Sequence, residues 1–351
     1  MITARLNPVL ARELRERARS RRTFIILTVA LGLLASILDL VYTATRPSVG
    51  VESVFNTAAL DSARNGRQIF DTMVLLILLL VCFLVPGLTA GSITGERERQ
   101  TLVPLQVTLL KPRSIVLGKI ASSLAFVVLM LISTAPLLAV SLILGGITAG
   151  AVFKGLVMIF ATAVLLACLS VCISTLLRRS QSAVVLSYFA TLMLLAGTLV
   201  IFGAQQVGAD KDYHLSNKAV LVFNPMVALT DIVSSETDLA RGSSGVTTPL
   251  SPLRELIRPT DSNFFGGDRG RFGGAPVPTI MAIGPNGPIV RPAVAVAIDG
   301  PLGRQQQAVD EGNNLGIRFW VRSLIAYGLI SFAAVAVASR RLRTPAARSE
   351  S

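Results

Sequence analysis

The residues with most to offer chemically stand in one run, Glu96-Arg97-Glu98-Arg99, followed by Thr101, Leu102 and Leu105, then Lys111-Pro112, and Lys119. Carboxylates alternating with guanidiniums make ion pairs and hydrogen bonds. The short amphipathic stretch behind them, Leu102, Leu105 and Leu109, offers apolar side chains to a surface. Such groups bind and orient; they do not form a reaction centre. Gly118-Lys119 is followed by Ile120 and lacks the upstream glycine of GxxxxGK[ST], so no phosphate cradle forms and the chain does not hydrolyse ATP by itself. The single histidine, His214, sits in a polar stretch and reads as a solvated residue, and no histidine-carboxylate cluster or Ser/His/Asp set accompanies it. Cys82, Cys168 and Cys172 lie in apolar runs as small hydrophobes. Neither catalytic residues nor metal ligands are expected.

The elements that carry these residues are set by composition. Of 351 residues 52% are hydrophobic and 15% charged, with a mean hydropathy of +0.64, so the solvent for much of the chain is lipid. A hydrocarbon core needs about 20 apolar residues of helix. Six runs qualify: Phe24 to Tyr42, Met73 to Ile93, Ile120 to Leu144, Leu156 to Leu177, Ala183 to Phe202, and Phe319 to Ala338. The fold class is thus an all-α membrane protein of six transmembrane helices. The first run exceeds the usual h-region of a signal peptide and is read as a retained span. Asp39 near the end of span one and Lys154 at the start of span four are the ionisable groups of the spans, and Asp39 is a candidate for the pathway. Pro86-Gly87 and Pro136 are candidate kinks.

Orientation follows from the basic residues. With the N-terminus inside, the inner pieces 1–22, 95–119, 178–182 and 339–351 hold 18 Lys and Arg, whereas the short outer loops hold Arg46, Arg64, Arg67 and Lys154. Those inner pieces contain five acids, so they account for the entire net charge of +13. The charge is a topology signal and an attraction to anionic lipid, and no nucleic acid is needed to explain it. Residues 1–22 have Asn7-Pro8 as a helix start and Leu6, Leu10, Leu14 and Ala18 on one face, the pattern of an amphipathic interfacial helix. The expected organisation is residues 1–22 as that helix, 23–202 as spans one to five with a cytoplasmic loop 95–119, 203–318 as an external segment, 319–339 as span six and 340–351 as a basic cytoplasmic tail. The external part Gly242 to Arg304, rich in Gly, Pro and Ser, is expected to be largely irregular. Asn224-Pro225 is expected to open a short helix on the outer surface.

Asn7-Pro8 with the Arg-Glu-Leu-Arg run before span one, and Glu96-Arg97-Glu98-Arg99 with Thr101-Leu102, Lys111-Pro112 and Gly118-Lys119 between spans two and three, resemble ABC-2 type permeases. The resemblance covers most of the membrane portion. It implies an elbow helix at the N-terminus and a coupling helix after span two that sits in a cleft of an ATPase subunit. On that basis Glu96, Arg97, Glu98, Arg99, Thr101, Leu102, Leu105, Lys111 and Pro112 are the expected ATPase-coupling residues. It also implies an ABC ATPase subunit and a second permease subunit as partners, ATP and Mg bound by the ATPase and no cofactor in this chain. Export is implied, from a bacterial plasma (inner) membrane with both termini cytoplasmic. The family loop usually reads charged-charged-Gly-Thr-Leu; this chain has Gln100 in place of Gly and Pro104 where an acid is common. A membrane scaffold or sensor that presents its external segment to a partner is the alternative reading.

Overall fold

In lipid the backbone has no water to bond, so a long apolar run satisfies its own amides by forming an α-helix. The structure, a computed structural model, describes residues 21–44, 58–100, 112–145, 147–208, 217–235, 250, 253, 280–284, 287–291 and 319–342. Along the chain come α1 (Arg21–Ala44), α2 (Ala58–Thr89), the short α3 (Thr94–Glu98), α4 (Pro112–Leu144), α5 (Ala149–Leu176) and α6 (Ser180–Leu192). α6 runs through a π-helical turn (Met193–Gly197) into α7 (Thr198–Gly208). A 3₁₀ segment (Asn217–Phe223), α8 (Pro225–Ser235), strands β1 (Ile280–Gly284) and β2 (Gly287–Arg291), and α9 (Phe319–Arg341) complete the order. Among the described residues six helices are long and apolar enough to cross a membrane: α1, α2, α4, α5, the α6–α7 pair and α9. The spans form the six-helix membrane architecture that the hydropathy pattern predicts.

The spans divide by burial. In α2 and α5, 56% of the most apolar window is buried, against 11% in α1 and 17% in the α6–α7 span. α5 is the centre, packed against α2, α4, α6, α8 and α9. Its Met158, Ile159, Leu165 and Leu166 meet Phe70, Met73, Ile77 and Leu78 of α2, Met130 and Leu138 of α4, and Tyr327 of α9 in one core cluster. Hydroxyls inside the spans bond back to their own helix, as Thr89 does to the Val85 carbonyl, Ser141 to Leu138 and Thr162 to Met158. They therefore cost little in an apolar setting.

Three features depart from the sequence reading. First, α2 begins at Ala58, well before Met73, so Arg64 and Arg67 lie in a helix and not in a loop. Arg67 is buried and Asp71 is 0% exposed. A hydropathy window averages over all faces, whereas a helix end packed against protein need not be apolar there, and both residues have polar or electrostatic partners. Gly66 lets this end of α2 approach α4, since a Cβ there would meet the carbonyl of Gly145 and lie 3.0 Å from that of Ser141. Second, α8 starts at Pro225 as predicted but is not a surface helix. Val227, Ala228, Leu229 and Ile232 are fully buried because α8 packs on α5 and α9. Third, the stretch expected to be largely irregular holds one regular element: β1 and β2 pair antiparallel from Ile280 opposite Arg291 to Gly284 opposite Gly287. The chain divides into two compact units, one of residues 1–258 with 319–351, the other, which holds this hairpin, of residues 259–318. The predicted N-terminal helix before Arg21, His214, and the tail beyond Leu342 lie outside the described residues.

Candidate functional site at the arginine-rich end

α2 ends in a turn, and the chain restarts as α3 without a side-chain cap of its own. Ser174 of α5 takes that role: its Oγ accepts from the amides of Ile93 (3.2 Å) and Thr94 (3.1 Å). The first-turn amides of a helix have no partner within it, and a buried hydroxyl from a neighbour satisfies two of them here. This fixes where α3 points. Its three charged residues then reach three different helices.

Glu96 Oε1 accepts from Lys119 Nζ of α4 at 2.8 Å; the lysine side chain is 6% exposed and the glutamate 29%. Arg97 Nη1 donates to the carbonyl of Leu177 at 2.8 Å. Leu177 is the residue that follows the last residue of α5 and caps it, so a cation sits beside the negative end of that helix, where it is favoured. Glu98 Oε1 accepts from the backbone amide of Ser180 and Oε2 from its hydroxyl, both at 2.7 Å. Ser180 is the first residue of α6, whose preceding residue Arg179 gives no side-chain cap, so Glu98 caps α6 from another helix. The backbone hydrogen bond from Ser180, then the one from its side chain, hold the Glu98 carboxyl below the ordinary glutamate range, with the Arg179 charge acting the same way.

Arg99 follows α3 and is exposed. Gln100 has φ +56°, in the left-handed region, which accounts for a glycine being usual at this place in the loop. Thr101, Leu102, Leu105 and Lys111 lie outside the described residues; Pro112 is the first residue of α4, where its fixed φ and missing N–H suit a helix start. Asp39 lies exposed on α1 and is not brought to this corner. Further basic residues stand at the same ends of the spans: Arg113 in the first turn of α4, Arg178 and Arg179 between α5 and α6, Arg340 and Arg341 at the end of α9.

Sequence reasoning found the acidic and basic run but not the residues that receive it. Lys119 carried a signal, a lone cation among the apolar residues that open span three. Ser174 carried none, being one hydroxyl among many in the spans. Among the described residues no group of His, Cys, Asp and Glu is arranged to hold a metal. The corner is built to hold helix ends in register.

No curated protein matches the chain closely enough to count as a relative. The family model described as ABC-2 family transporter protein matches residues 8–265, more than two thirds of the 351 residues. The match takes in spans one to five, the charged corner and α8. With its six candidate spans, the chain is a multi-pass membrane protein that belongs to the ABC-2 family of transporter permeases.

Proposed function

We propose that this chain is the membrane-spanning subunit of an ABC transporter that docks a separate ATPase through the segment from Glu96 to Pro112. The ATPase binds ATP and Mg. Two permease subunits, identical or related, form the pathway between them, and the direction of transport is export. The observation that carries this reading is the corner itself: the charged run after span two is bonded to α4, α5 and α6, so a push on α3 reaches three spans. The excess of Lys and Arg at this end supports a cytoplasmic placement, with both termini inside a bacterial plasma membrane.

The test is co-purification of the solubilised full chain with candidate ATPase subunits, with Arg99→Ala and Leu105→Ala as variants. Retention of an ATPase that the substitutions weaken supports the reading. If no ATPase is retained while the membrane protein stays monodisperse, the scaffold reading takes its place.

A further inference from the structure

The charged run splits into residues that are engaged inside the protein and residues that are not. Glu96, Arg97 and Glu98 place their charged groups on Lys119, the Leu177 carbonyl and Ser180. Both Glu98 oxygens are occupied by Ser180. Turning Glu96 toward an outside partner would strip its carboxylate from an ammonium that is almost fully buried, and uncovering a buried charge is costly. Arg99, exposed at the end of α3, faces no such penalty.

We infer that Glu96, Arg97 and Glu98 are positioning residues that transmit movement of α3 to α4, α5 and α6, and that contact with the ATPase begins at Arg99. The inference rests on the permease reading above. It divides the coupling segment into a docking part and a linkage part. Three bonds to three helices make the linkage stiff in a way that one would not, because α3 cannot then turn about any single contact. A substitution in the linkage part leaves docking intact and lowers the yield of each docking event.

The experiment uses the full chain with its ATPase, measuring ATPase affinity together with kcat and KM for ATP in wild type, Glu96→Lys, Lys119→Glu and the double reversal. Each single reversal is expected to keep ATPase affinity within about threefold and KM for ATP unchanged, and to lower kcat about fivefold or more. The double reversal restores kcat to within about twofold, since it rebuilds the pair with its sign inverted. Should a single reversal fail to fold, Glu98→Ala and Ser180→Ala probe the same linkage at an exposed contact; their effects on kcat are expected to be no larger together than singly. An affinity loss of about tenfold or more in Glu96→Lys or Glu98→Ala, unrepaired by the second change, makes those residues docking contacts and overturns the inference. So does unchanged kcat in every variant. Failure of wild type to retain any ATPase is a different result, read before any variant is made, and removes the permease reading itself.

Discussion

At the arginine-rich end charged side chains join α3 to three other helices, whereas near the opposite end a buried amide and a phenol tie α8, α9 and span five together. Asn224, 0% exposed, donates from Nδ2 to the Leu195 carbonyl (2.8 Å) and to Thr198 Oγ1 (2.7 Å). Its Oδ1 accepts from the Met226 amide at 2.9 Å and so caps α8. The Leu195 carbonyl belongs to the π turn of span five, where widening of the helix takes a carbonyl out of the regular ladder. Tyr327 of α9 donates to the Phe223 carbonyl at 3.3 Å, and the Trp320 amide donates to Asp231 Oδ2 at 3.0 Å. One end is thus a hub of neutral, mostly buried hydrogen bonds, and the other a set of charge-assisted links that runs from the buried Lys119 to the exposed Glu98. The difference predicts that the first governs stability and the second governs coupling.

The hardest way to break this division is Asn224→Ala. It removes the α8 cap and leaves the Leu195 carbonyl without its interhelix donor in a site closed to water. The expected loss is about 2 to 3 kcal/mol, from a lost cap and two lost buried hydrogen bonds, read as a lower thermal midpoint in detergent with ATPase affinity unchanged in the protein that remains folded. Gly66→Ala acts at the same end and is expected to cost about 2 kcal/mol, because the added Cβ meets backbone of α4 that has no rotamer with which to yield. A corner variant such as Glu98→Ala should do the reverse, shifting turnover with little change in midpoint. If Asn224→Ala left the midpoint unmoved, the hub would not be the stabilising end.

How much of this was legible follows from what hydropathy and spacing measure. Long apolar runs marked all six spans, since lipid leaves one option for the backbone, and Asn224-Pro225 marked a helix start because a cap and a fixed φ are local properties. The family likeness led to the corner through Glu96 to Arg99, and its ATPase-docking role remains the proposal made above. What sequence did not reveal depends on neighbours distant in the chain. The pairing of Glu96 with Lys119 closes a gap of 23 residues and that of Glu98 with Ser180 one of 82. Nothing local in Met193 to Gly197 announced a π turn. Pro86-Gly87 is a candidate kink by composition alone, and the structure gives Gly87 a further role: a Cβ there would lie 2.7 Å from the Tyr188 hydroxyl, which donates to the Phe83 carbonyl at 2.9 Å.

That contact supplies a smaller probe between the two ends. Tyr188→Phe removes one interhelix hydrogen bond while keeping the ring against Phe83, whose centroid is 5.6 Å away. The expected cost is about 0.6 to 1 kcal/mol, in line with such bonds in membranes, and Gly87→Ala should cost at least as much by displacing the hydroxyl. Additive effects of Tyr188→Phe and Asn224→Ala on the thermal midpoint would show that the two contacts are independent; strong non-additivity would join span two to the hub.

Acid separates the ends without mutation. Because the folded Glu98 carboxyl titrates below its unfolded value, its bond to Ser180 is fully present above the ordinary glutamate range and is lost as pH falls through the lowered folded value. Hydrogen exchange at the Ser180 amide, corrected for the intrinsic rate, should therefore quicken only once pH has fallen below the ordinary glutamate range. Exchange at the Met226 amide, held by a neutral side chain, should not. Equal acceleration at both would mean that acid opens the whole bundle and not the corner.

The mildest change tests the backbone of the corner and touches neither charge nor packing. Gln100 holds φ +56°, a conformation that costs a side-chain-bearing residue about 1 to 2 kcal/mol. Glycine relieves that strain but loses about 0.5 to 1 kcal/mol through the freedom of its unfolded chain. The balance favours Gln100→Gly by about 0.5 kcal/mol, the only stabilising substitution in this series, and Gln100→Val should fall on the other side because a β-branched residue tolerates positive φ least. A higher midpoint for the glycine variant with unchanged turnover would mean that the corner needs the turn and not the glutamine side chain. A lower midpoint would mean that the amide of Gln100 supplies binding energy that outweighs the strain, and would move the start of the working surface one residue beyond Arg99.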